Sequence, residues 1–90
     1  MPFEYEALRD QAQQTLIDFL TAELALGSSF MLAASLSFNE GHITHYEQAK
    51  NGATKTADTV LRFLSAVTDS KVRADIDMRL GALYRLISSL

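Results

Sequence analysis

The sequence predicts an all-α fold, a three-helix up-down-up bundle, and three observations point there. The only proline is at position 2 and only four glycines (27, 41, 52 and 81) occur in 90 residues, so few residues interrupt helices. Apolar residues recur at spacings of three, four and seven over three long stretches, the period of a helix face. Between those stretches lie two short polar segments, Asn39-Glu40-Gly41 and Thr68-Asp69-Ser70, suited to ending one helix and starting the next.

The first helix is expected over 4–38. Leu8, Ala12, Leu16, Phe19, Leu26, Phe30 and Ala34 are read as its inner face, with a possible bend at Gly27-Ser28-Ser29. Gly41 suits the left-handed conformation that closes a helix. The second helix is expected over 43–67. Thr44-x-x-Glu47 has capping-box spacing, and His42 could serve as the cap instead. Ile43, Tyr46, Ala49, Ala53, Ala57, Val60, Leu64 and Val67 form its apolar stripe, and the alanines at intervals of four leave room for close approach by helix one. The third is expected over 70–88, with Val72, Ile76, Leu80, Leu83, Ile87 and Leu90 inward. Arg73 with Asp77 and Asp75 with Arg79 have the spacing of surface ion pairs. Residues 1–90 form one domain, because the chain is long enough for one modest core and too short for two.

Composition excludes several functions. A net charge of −3, with the seven Lys and Arg residues from Lys50 onward interleaved with aspartates, gives no dense basic face for nucleic acid. The absence of cysteine removes disulfide scaffolds, thiolate metal sites and thiol catalysis. The acidic start Met-Pro-Phe-Glu-Tyr-Glu lacks the pattern of a signal peptide, and a cytoplasmic location is the default expectation. No Gly-x-Ser-x-Gly elbow or phosphate-binding glycine loop is present, so no catalytic residue, metal or cofactor is called for.

The informative anomaly is the second half of helix one, where Leu24 to Asn39 are 16 consecutive uncharged residues with apolar side chains around the helix. Ala25, Ser29, Leu32 and Leu36 project away from the inner face and are read as a protein-interaction surface, for a homodimer or another protein. A membrane span is disfavoured, since the uncharged run is shorter than about 20 residues and Asp18 and Glu23 precede it. Glu23 falls among apolar residues and is read as a core carboxylate in need of a partner, with Lys50, Arg62 or Tyr46 as candidates. The competing reading is a small enzyme or metal-binding protein that combines Glu23 with His42 and His45. That pair is better explained as solvated turn residues, because a zinc site needs three or four converging ligands.

Leu26-Gly27-x-x-Phe30, Gly41 and Tyr46-x-x-Ala49-x-x-x-Ala53-x-x-x-Ala57 together resemble one tetratricopeptide-type helical hairpin, covering residues 24 to 67. The pattern departs from that family in the long Gly27 to Gly41 spacing, in Ala53 where an aromatic is usual, and in having Thr68-Asp69 in place of a closing proline. The resemblance implies a hairpin with a capping third helix, protein binding in place of catalysis, and dimerisation in place of repeat stacking.

Overall fold

The computed structural model describes residues 2–90, with side chains from residue 4 onward. It is a bundle of three helices: α1 (Pro2–Asn39), α2 (Ile43–Leu64) and α3 (Ser70–Ser89), with no strand among the described residues. The fold class is that of an all-α three-helix bundle. Its long dimension is 60 Å against 18 and 15 Å, set by the 38 residues of α1. Ring contacts fix α1 and α2 as antiparallel. Phe19 meets Phe63 edge-on at 6.4 Å, and Phe38 meets Tyr46 at 5.4 Å at the other end. In α3, Tyr84 bonds to Asp58, and the Leu90 carbonyl accepts from the Tyr46 hydroxyl, so α3 returns antiparallel to α2.

The turns follow the local chemistry. Gly41 sits at φ +78°, the left-handed conformation that reverses the chain after α1. His42 precedes α2 without a side-chain cap, so Thr44 lies inside the helix and the capping-box spacing is not used as a cap. α2 ends at Leu64, three residues before the expected 67. There the amides of Ala66 and Val67 turn back to the Phe63 and Leu64 carbonyls, which tightens the chain and drops Val67 fully into the core. Asp69 caps α3 by accepting from the Lys71 and Val72 amides. Of the two expected ion pairs only Asp75 with Arg79 forms, at 3.1 Å; Arg73 instead donates to the Val67 carbonyl and ties the turn to α3.

The core matches the inward stripes of α2 and α3 except at Ile43, which at the first turn of α2 beside the chain reversal is 54% exposed, and it revises the stripe of α1. Ala53, Ala57, Val60, Ile76, Leu80, Leu83 and Ile87 are buried as expected. In α1 the buried residues are Leu20, Leu24, Gly27, Met31 and Ala34, at alternating steps of four and three. Leu8, Ala12, Phe19 and Leu26, assigned above to the inner face, are exposed. The physical reason is that apolar residues surround α1 almost evenly, so more than one face satisfies the helical period. Packing chose the face with Gly27, because a residue without a side chain lets α2 and α3 close onto the backbone together. α1 runs as one unbroken helix through Gly27.

Candidate interaction surface

Two ladders run along α1. The buried one has just been described. The second comprises Tyr5, Leu8, Ala12, Thr15, Phe19, Ala22, Leu26, Ser29, Ala33 and Leu36, spaced three and four in strict alternation, and every member is exposed. At 100° per residue it lies roughly opposite the core ladder. Alternation of three and four is the seam of helix-to-helix pairing, in which side chains of one helix enter the gaps of another.

The four residues read from the sequence as an interaction surface belong to this side. Ser29 and Leu36 are ladder members; Ala25 and Leu32 flank it. Leu32 and Leu36 are 64% and 54% exposed, so α3 does not cover them. It packs instead along Leu24, leaving a shallow groove between the helices lined by Thr21, Ala25, Ser28, Ala82 and Leu86. At the other end, Ala12, Thr15, Leu16, Phe19 and Phe63 line a second, almost wholly apolar groove.

The length of α1 shapes this surface. Among the described residues, Gln13 makes the hydrogen bonds nearest the N-terminus between α1 and the rest of the bundle: its amide nitrogen donates to the Ala66 carbonyl and its oxygen accepts from the Thr68 amide, both at 3.0 Å. Glu4 through Ala12 extend past that clamp and are exposed throughout. The sequence reading did not single out Gln13; an isolated glutamine on a helix carries no signal that it will hold a distant turn. The outer ladder was also missed as a unit, although its spacing is in the sequence, because its members were divided between the two faces.

The polar candidates do not form a site. Glu23 is half-buried, and none of Lys50, Arg62 and Tyr46 bonds it among the described residues. The Tyr46 hydroxyl donates a hydrogen bond to the Leu90 carbonyl, and Lys50 lies over the Tyr46 ring at 5.8 Å. His42 and His45 are exposed beside the turn, their rings 5.7 Å apart, with Glu40 at 3.4 Å from His42. Glu23 precedes the end of α1 by 16 residues, about 24 Å of helix, so it does not converge with them. Among the described residues no group of three or more metal-ligating side chains gathers. Tyr84 is the perturbed titrating group: burial, then its hydrogen bond to Asp58 at 2.7 Å and the nearby carboxylate charge, push its pKa up to about 12.

By length and composition α1 (Glu4–Asn39) is apolar enough to cross a membrane, a property the 16-residue count above understates because it stops at the first charge. No family model, curated protein or solved structure matches the chain.

Proposed function

We propose that this chain is a non-enzymatic interaction module that self-associates through the outer side of α1, including Ala25, Ser29, Leu32 and Leu36. The observation that carries this reading is the exposed three-four ladder from Tyr5 to Leu36 on a helix whose opposite side already holds the bundle together. Left in water, such a largely apolar strip, interrupted by the hydroxyls of Thr15 and Ser29, invites aggregation, and soluble domains rarely keep one without a partner. Burying a leucine contributes roughly 1.5–3 kcal/mol, so Leu32 and Leu36 on each of two subunits can offset much of the entropy of association. The likeness of residues 24–67 to a tetratricopeptide hairpin points the same way, toward binding without catalysis. Glu23 lies about 24 Å of helix from the end of α1, away from the paired rings of His42 and His45, which favours the binding reading over one that combines the three.

Replacing Leu32 and Leu36 together with glutamate tests the proposal. The expected outcome is a helical chain whose mass in light scattering falls to that of a monomer, or an unfolded chain if the monomer cannot stand alone. An unmodified protein that is monomeric at high concentration, or one that stays dimeric with both glutamates in place, contradicts it. Uptake into lipid vesicles in place of dimerisation would assign α1 to a membrane instead.

A further inference from the structure

We infer that two copies pair through their α1 helices in an antiparallel register that sets Tyr5 of one against Leu36 of the other. The inference rests on the proposed self-association and specifies its geometry. In antiparallel helix pairs, ladder residues that follow a step of four face those that follow a step of three. The register that does this over the full ladder places Leu8 opposite Ala33, Thr15 opposite Leu26 and Phe19 opposite Ala22, and repeats by two-fold symmetry. In these three layers a larger side chain meets a smaller one, the arrangement that lets layers interdigitate, while Ala12 meets Ser29 and the bulky Tyr5 and Leu36 meet at the two ends. Parallel pairing would oppose each residue to itself, stacking Phe19 on Phe19 and leaving gaps at the alanines.

Charge selects the same orientation. The segment from Glu4 to Glu23 carries five carboxylates and Arg9, a net of −4, and Leu24 to Asn39 carries no charge. Antiparallel pairing lays each charged half beside an uncharged one, with Asp18 next to Ala25 and Gln11 next to Leu32. Parallel pairing sets the two acidic halves side by side and brings Asp18 against Glu23 on both flanks, relieved only by Glu4 near Arg9 at the end. The helix dipoles also oppose each other when parallel.

A second copy suits this face because α1 supplies both halves of the contact. The segment Glu4 to Ala12, exposed throughout in its own bundle, would lie along the uncharged half of the other α1. The ladder is about 46 Å long and a helix about 10 Å wide, on the order of 1,000 Å² of projected face for the pair, the threshold for a specific interface.

The chain has no cysteine, so single introduced thiols report the register directly. Leu8→Cys and Ala33→Cys replace exposed residues. After mild oxidation of an equimolar mixture, the mixed Leu8→Cys/Ala33→Cys disulfide should predominate, and neither variant alone should link to itself. Self-linked products from each variant alone, in a protein dimeric by light scattering, overturn the antiparallel register and leave self-association intact. A dimer that forms none of these disulfides overturns the register too. A monomer, for the parent and both variants, overturns the inference together with the reading it rests on. A spin label at Ala33→Cys gives an independent readout, with the two labels about 37 Å apart along the axis if antiparallel and adjacent if parallel.

Discussion

A methyl group placed on Gly27 would lie 2.5 Å from the hydroxyl oxygen of Thr56 and 2.6 Å from a methyl carbon of Leu83. Gly27 on α1 therefore marks the point where α2 and α3 both press on the first helix, and Thr56 is held there by donating to the Ala53 carbonyl at 2.9 Å. Gly27→Ala gains about 1 kcal/mol of helix propensity, but the overpacking costs about 1–3 kcal/mol. Leu83 can rotate away, whereas Thr56 is buried and bonded. The expected net effect is a loss of about 1 kcal/mol, read as a lower denaturant midpoint with an unchanged slope. A rise in the midpoint would show that the contact is slack.

Ala53→Leu is expected to cost about 1–3 kcal/mol by the same physics. Ala53 is fully buried, and its neighbour Gly52 already has the Phe30 ring about 3.0 Å from where its side chain would begin. An unchanged midpoint would contradict the close α1 to α2 approach.

Gln13→Ala removes both bonds that fasten the α2–α3 turn to α1, at a cost of about 1 kcal/mol for exposed bonds of this kind. Faster amide exchange at Thr68 should accompany it. Exchange that is unchanged would mean that the buried Val67 and the Arg73 bond to its carbonyl anchor the turn without Gln13.

Tyr84 predicts a dependence on alkaline pH. Its folded pKa of about 12 exceeds the ordinary 10, so the folded chain holds this proton more tightly than the unfolded one. The contribution is complete below pH 10 and is lost as pH rises toward 12. Asp58→Asn removes the acceptor's charge and should lower the Tyr84 pKa, visible in the ultraviolet titration of the phenolate. An identical titration in both proteins would leave burial as the sole cause.

The fold was legible because α2 and α3 each carry one apolar stripe, so Ala53, Val60, Ile76 and Leu83 had a single side to face. α1 was legible only in extent. Its apolar residues surround the helix, and spacing alone could not decide between the side with Leu20 and Leu24 and the side with Phe19 and Leu26. What decided it was Gly27, through contacts with Thr56 and Leu83 that are distant in sequence. Leu32 and Leu36 were readable as outward because no charge accompanies them and only two other helices exist to cover α1. The Gln13 clamp and the Tyr84–Asp58 bond join residues 53 to 55 and 26 positions apart, beyond the reach of periodicity.

The most direct test of the central claim is the solution mass of the unmodified protein, measured by light scattering or sedimentation equilibrium over a wide range of concentration. Self-association through α1 predicts a mass approaching about 20 kDa, twice the 10.0 kDa of one chain, with a concentration-dependent equilibrium between the two. A constant 10.0 kDa up to the highest soluble concentration would contradict it and leave the outer ladder of α1 without a second copy to cover it.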